Sequence, residues 1–564
     1  MTLAAKQTQL IVLKQQRKNA ATAEAVALTL AKDGKDGECG QAIRHPDDVE
    51  LNARLAAAMT IVDSATTPVN TSKAFDPKEA EWYQFCDSAY GEDAFKYSIT
   101  TEKLYRFFYY QAFREKRNIK NEIDGTGKKK RKKMGKGIHF DKNEYSSIML
   151  LYSQLSKTDP FPMPKNPIGF QMFEQYKAVL KQLHQEQVAK GVCGTAWEFL
   201  WTANLKRLHK HVKTRKALVK KMNYEEKIGH EFAPYAIVER FHEIEEEFWN
   251  DSVIAVGRRS ICASLRHRAC LLYNTCGILR CESLHKAELS DFIGIKPPKQ
   301  DKDPHQIFLM ITQFAFGKTN NGRVLYGRAT RHKNPKLCCV GAVAFYLQYR
   351  FFCTGEFTDM TAADWTDNTK LFDVKFLVDI NGSDYSVAMR NDSFGKHTKN
   401  VLQRRNIPCT KVLHLGRNVG PRWLELLEEE SDEIRRMGQW NPSMLDSHYS
   451  TKLPMGPIRK LAGYHSNHSM YFNVRTTVIP SEELCRMTPT GAFCYDALKE
   501  VLEMGGCDGE HPTAIHVLMF FRELSIVFLQ DAATFMLTED RHHPMFDAMP
   551  VFQTEQFKVR VAAS

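Results

Sequence analysis

The segment Gly317 to Gly322 (GKTNNG) constrains this chain more than any other. Before it runs IFLMITQFAF, Ile307 to Phe316, an apolar stretch rich in β-formers. After it, Arg323 to Thr330 reads as a returning strand. Asn321-Gly322 is a strong hairpin signal, because both residues tolerate the positive φ that a tight hairpin turn demands. The surrounding pieces are helical in pattern: Arg258–Tyr273, Val340–Phe352, Asn418–Glu429, Asp432–Gly438 and Pro442–Tyr449. Helices around one small hairpin-bearing sheet predict a mainly α fold with a small β-sheet, an α+β arrangement.

The 564 residues leave room for about two to four domains. Residues 1–75 mix Ala, Thr and charge, and Gly34 and Gly37 interrupt any helix, so this segment reads as weakly structured. Order is expected from near Pro77, where Trp82, Tyr83, Phe85, Tyr90, Phe95 and Tyr97 supply core material. Residues 76–250 read as a helical domain, with an amphipathic helix at Glu102–Arg117 and an acidic one at His242–Trp249. A second domain spans 251–485, and 486–564 form a helical C-terminal region, either core or an oligomerisation module.

Net charge is +12, which favours a polyanionic partner without choosing between nucleic acid and membrane. The first residues lack the apolar core of a signal peptide. The apolar stretch Ile515 to Leu537 is interrupted by Arg522, Glu523, Gln530 and Asp531, so a buried helix is expected there and no membrane span. The fourteen cysteines contain no CxxC pair. Free thiols are expected, and no metal and no cofactor, because zinc ligands usually come in spaced pairs.

Two segments concentrate the charge. Seven of the nine positions from Lys128 to Lys136 are Lys or Arg, with Lys128, Lys129, Lys130, Arg131, Lys132 and Lys133 consecutive. Repulsion keeps such a block extended. It reads as a solvated loop, a nuclear-import signal or a phosphate-contacting arm. Lys206 to Lys221 places Lys206, Arg207, Lys210, Lys213, Arg215, Lys216 and Lys220 around Leu208, Val212, Leu218 and Val219. This is either a solvated helix face or one that contacts phosphates.

Four further pieces carry candidate chemistry. Arg280 lies in CGILRCESLHK, whose apolar residues suggest an arginine emerging from a packed helix. Such an arginine needs an anionic partner: Glu282 or Asp291 in a plain ion pair, or a phosphate. Lys318 sits on the hairpin turn, where a lysine is ordinarily just solvated. His414 and Arg417 form an HLGR box at i, i+3 spacing. Trp440 and Tyr449 lie in MGQWNPSMLDSHYSTKLP. Each alone is a weak signal.

In this order the pieces resemble the tyrosine recombinases. Arg280 matches the family's first arginine box, Lys318 its hairpin lysine, and His414 and Arg417 its HxxR box. Trp440 stands where the family has His or Trp after a glycine, here Gly438, and Tyr449 follows nine residues later. The runs GKTNNGRVLYGRATRHKNPKL, MLDSHYSTKLP and YFNVRTTVIPSEEL look like the domain shared by crypton-type mobile elements and the fungal centromere-binding kinetochore protein. That similarity covers roughly residues 245–485. The second box departs from the usual His-x-Leu-Arg, and Gln439 precedes Trp440.

The resemblance implies double-stranded DNA as partner, a nuclear location, self-association as dimer or tetramer on DNA, and cleavage by Tyr449 through a 3′-phosphotyrosine link. Arg280 and Arg417 would clamp the phosphate, Lys318 would protonate the leaving oxygen, His414 would assist proton transfer, and Trp440 would orient the site. The same resemblance also admits a DNA-binding protein on this fold without strand transfer, and a type IB topoisomerase as a further relative in chemistry.

Overall fold

The computed structural model describes residues 69–115, 121–123, 129–131, 140–154, 167–192, 194–222, 233–301, 303–314, 324–379, 384–409, 411–440, 453–465, 470–504 and 511–563. The chain divides into two compact units, Met1–Met222 and Asn223–Ser564.

The first unit is built on aromatic packing. Helices α1 (Val69–Ala89), α2 (Thr101–Phe113), α3 (Lys142–Gln154), α4 (Phe170–Ala189) and α5 (Ala203–Met222) surround Trp82, Phe85, Phe107, Phe108, Phe140, Phe173 and Trp201. Burying each such side chain contributes about 1.5–3 kcal/mol. Order begins by Val69, upstream of the expected start near Pro77; the proline is carried inside α1. Thr100 caps α2 by accepting from the Lys103 N–H, and the chain is already extended at Arg114, short of the expected Arg117. Lys129–Arg131 of the basic block form a strand, β2, antiparallel to β1 (Asn121–Ile123), with Glu122 opposite Lys130. Lys128, Lys132 and Lys133 lie outside the described residues.

The second unit starts earlier than sequence patterning placed it. Helices α6 (Ala233–Glu239) and α7 (Phe241–Val253) belong to its core through Ile237, Phe241, Ile244, Phe248 and Trp249. The reason is the partner of the acidic helix: Glu245 is buried in an ion pair with Arg268 of α8 (Arg258–Cys276), at 2.6 Å. Helix α8 packs on α7 and on α10 (Cys339–Thr354). Between α8 and α10 come the short helix α9 (Cys281–Lys286) and the sheet of β3 (Phe292–Ile295), β4 (Leu309–Phe314) and β5 (Leu325–Thr330). The sheet is antiparallel throughout, in the order β3-β4-β5, with Phe314 opposite Leu325 and Leu309 opposite Thr330. Mainly helical with one small sheet is the expected fold class. The connection that carries Lys318 lies outside the described residues.

After α10 follow α11 (Asn391–Arg404), α12 (Leu415–Leu426), α13 (Ser431–Gly438), α14 (Met455–Leu461), α15 (Gly491–Met504) and α16 (Pro512–Met536). Helix α16 is long and apolar enough to cross a membrane. Its packing accounts for that composition: Phe520, Phe521, Leu524, Phe528 and Leu529 are buried against α10, α15 and β3. Its two acidic side chains are paired, Glu523 with Lys296 and Asp531 with Arg331 and Arg475. The C-terminal region therefore completes the core of this unit.

A second apolar cluster lies under the hairpin. Ile278, Ile307, Leu309, Ile311, Leu424, Ile434, Met437, Ile458 and Leu461 join β4 to α12, α13 and α14. It is the floor of the candidate site.

Candidate functional site

Arg280 does not emerge from a helix. Helix α8 stops at Gly277, and Ile278 takes the left-handed conformation, with φ 52. The Leu279 N–H donates to Asn274 O at 2.9 Å and the Ile278 N–H to Thr275 O at 3.3 Å. That is the Schellman pattern, which normally ends on glycine because a side chain disfavours positive φ. Ile278 is held there by burial of its side chain, 1% exposed, in the floor cluster. Arg280 then sits in extended backbone as the cap of α9. Of its two expected carboxylate partners, Glu282 pairs with Lys286 and Asp291 closes a capping box with Glu288. Burial raises the Asp291 carboxyl to about 6.

Arg417 is the centre of the arrangement. It lies in the first turn of α12, whose cap residue is the exposed His414. One Arg417 N–H donates to Ile278 O at 3.1 Å and another to Gly438 O at 3.2 Å. A single guanidinium thus ties together the Arg280 turn and the end of α13. Its guanidinium carbon lies over the Trp440 ring, 4.9 Å from the centroid, in a cation–π contact. Among the described residues Arg417 has no carboxylate partner. Burial, then the charge of Arg280, lowers its pKa to about 10. Both effects penalise a cation that no carboxylate among the described residues offsets.

Helix α13 ends as α8 does. Gln439 takes the left-handed conformation, φ 53, and the Trp440 N–H reaches back to Arg435 O at 3.1 Å. The Gln439 side chain then pairs with the free edge of β5, accepting from the Tyr326 N–H at 2.9 Å and donating to Tyr326 O at 2.6 Å. An amide side chain extends the ladder by one peptide's worth of hydrogen bonds. This fastens Trp440 to the hairpin whose connection carries Lys318.

The departure of HLGR from the usual box also has a steric reason. A Cβ on Gly416 would stand 2.6 Å from Asn274 C, 2.7 Å from its O and 2.8 Å from Thr275 N. On Gly420 it would meet Thr275 O at 2.7 Å. The two glycines, four apart on one face of α12, let the helix lie directly on the last turn of α8. All the close atoms on Gly416 are backbone and cannot give way. Gly416→Ala is expected to destabilise the second unit by about 1–3 kcal/mol, the usual cost of overpacking, and to shift Arg417. An unchanged denaturant midpoint would contradict this.

The structure thus brings Arg280, Arg417 and Trp440 together, with His414 one turn ahead of Arg417. Lys318 and Tyr449 lie outside the described residues. On α5, Lys206, Arg207, Lys210 and Lys213 are exposed over buried Leu205 and Val212. Arg215 is a correction. It is 7% exposed and donates to Ala112 O at 2.9 Å and Ile168 O at 3.1 Å, so it holds the first unit together and is no part of the exposed face. It falls three residues after Val212, on the buried side. Lys216 and Lys220 continue α5, and their side chains are not described.

Gly416, Gly420, Ile278 and Gln439 escaped the sequence reading as positioning residues; the Gly-x-x-x-Gly spacing was the available signal. A buried group of Cys270, Cys281 and His285 escaped it too, since its members come from two helices without paired spacing.

Fold and site define a mainly helical unit in which two helix ends and a hairpin edge are gathered around an arginine pair. The chain belongs to the family described as centromere DNA-binding protein complex CBF3 subunit, domain 2, whose model matches residues 178–558. Two solved structures are also similar to it. "FLP Recombinase-Holliday Junction Complex I" is 10% identical, covering 80% of this chain and 98% of that one, with a TM-score of 0.30. "Flpe-Holliday Junction Complex" is 9% identical, covering 83% and 98%, with a TM-score of 0.31. No curated protein matches the chain.

Proposed function

We propose that this chain binds double-stranded DNA, with Arg280 and Arg417 gripping one backbone phosphate, and that Tyr449 cuts the strand there as in tyrosine recombinases. The observation that carries the reading is the electrostatic state of Arg417. A half-buried guanidinium beside a second one, with no carboxylate on it among the described residues, favours an anion as its ligand. A phosphate diester fits it, because its two non-bridging oxygens match the forked donors of two arginines. The family's description as part of a centromere DNA-binding complex supports DNA as that ligand. It also supports a nuclear location. The exposed Lys206, Arg207, Lys210 and Lys213 would add phosphate contacts.

In the proposed reaction the Tyr449 oxygen bonds to phosphorus as the bond to the 5′ oxygen breaks. Lys318 gives its proton to that leaving oxygen, and His414 takes the proton of the tyrosine. Tyrosine is barely ionised at neutral pH, with an ordinary pKa of about 10, so cationic neighbours and a base are required. Trp440 orients Arg417. The 3′-phosphotyrosine keeps the bond energy for rejoining. Self-association on DNA, as dimer or tetramer, would bring two such sites to two strands.

A second reading is a DNA-binding protein that leaves strands intact. The family match favours it, since a centromere DNA-binding complex is named for binding. A nicked suicide duplex separates the two. Strand transfer predicts a covalent DNA–protein adduct that Tyr449→Phe abolishes while duplex binding is kept. Salt-dependent binding with no adduct from any duplex supports the second reading. No duplex binding at low salt would sink both.

A further inference from the structure

The geometry points to a zinc site: Cys270, Cys281 and His285 would together bind one Zn2+ ion that clamps the last turns of α8 to α9 across the turn presenting Arg280. The donor atoms of these three buried residues lie within 4.8 Å of one another. Cys281 Sγ is 3.7 Å from His285 Nδ1 and 3.9 Å from Nε2. A tetrahedral zinc with Zn–S of about 2.3 Å and Zn–N of about 2.0–2.1 Å sets sulfur and nitrogen about 3.5 Å apart. The Cys281–His285 pair therefore stands close to the edge length of that tetrahedron. Cys281 and His285 face the same way because they are four apart on α9; Cys270 approaches from α8. Full burial suits a structural ion, whose site is closed.

Two neighbours fit a metal better than a simple thiol cluster. His285 Nδ1 is hydrogen-bonded to Asn391 Oδ1 at the start of α11. An amide oxygen only accepts, so Nδ1 carries the hydrogen and the Nε2 lone pair is left for a ligand. Metal-bound histidines are usually oriented in this way by a second group. Asn274 is 3% exposed, its amide touches the Cys281 sulfur, and its Oδ1 has no hydrogen-bond donor. Turned over about its last bond, the amide would bring that oxygen toward the sulfur as a fourth donor. Two sulfurs and an imidazole select zinc over magnesium or calcium, which take oxygen sets. The inference does not depend on DNA cleavage or DNA binding.

The test uses the full chain. After dialysis against a chelator, Co2+ should give tetrahedral d–d bands and a thiolate charge-transfer band, and Zn2+ should bleach them at about one ion per chain. Cys270→Ser and Cys281→Ser should each lose the charge-transfer signal of one thiolate, and the double variant should lose both. Cys353→Ser, in α10 and outside the cluster, should retain the wild-type spectrum. Asn391→Ala should weaken zinc binding about 10- to 100-fold, the usual effect of losing an orienting partner. A wild-type chain that takes up neither ion overturns the proposal, whether or not the variants fold. So does a thiolate–cobalt band that survives in the Cys270→Ser, Cys281→Ser double variant.

Discussion

Arg417→Ala is expected to slow strand cleavage on a nicked duplex by about 100- to 1,000-fold, the usual cost of removing one preorganised donor to a developing oxyanion. The side chain does two things at once. It fastens Ile278 O and Gly438 O to one plane, and it presents its remaining N–H donors from that plane. Alanine removes the charge and frees both ends of the frame. Arg417→Lys keeps a charge but cannot hold two carbonyls and an anion with a rigid fork while lying over Trp440. Most of the loss is therefore expected in the lysine variant as well. A lysine variant that cleaves at the wild-type rate would show that only charge is required.

The same substitution has a readout in equilibrium binding. One phosphate contact fewer lowers the slope of log K against log salt by about 1, for any DNA sequence. That readout holds whether or not the strand is cut. An Arg417→Ala protein that still folds, yet keeps both the slope and the cleavage rate, would remove Arg417 from the DNA altogether.

The fold class was legible because hydrophobic periodicity reports which faces are buried, and it does so for β4, β5, α8 and α10 alike. The ends of elements were less legible. Arg280 was expected on a helix because Ile278, Leu279 and Leu284 have helical spacing. What breaks the helix is Gly277 followed by an isoleucine at positive φ, a conformation imposed by the floor cluster. Tertiary burial overrode local preference there. The boundary near residue 250 misled for a related reason. The charges of α7 suggest a solvated face, yet Glu245 is turned inward on Arg268. Arg215 repeats the lesson on α5, where a run of cations conceals one that is structural. Which cations face a ligand depends on partners far along the chain, such as Ala112 and Ile168 for Arg215.

Asp531→Ala is expected to cost about 3–5 kcal/mol of stability, the range found when one member of a buried ionic group is removed. Asp531 is fully buried on α16 and accepts from Arg331 and Arg475, both also buried. Its carboxylate lies against Gly341, where a Cβ would collide with Oδ2. Arg331 directly follows β5, and Arg475 donates to His332 O, so this one anion anchors the C-terminal helix to the end of the hairpin. Alanine would leave two cations in a dry interior with Gln530, Asn473, the Cys338 sulfur and one carbonyl as their remaining acceptors among the described residues. The penalty belongs to the uncompensated arginines more than to any lost attraction, and this makes it separable. In an Arg475→Met background one stranded cation is gone, so Asp531→Ala should cost less there by about 1 kcal/mol or more. Denaturant unfolding of the four proteins in that cycle measures the difference. Equal costs in both backgrounds would mean that Asp531 and Arg475 do not share the energy assigned to them.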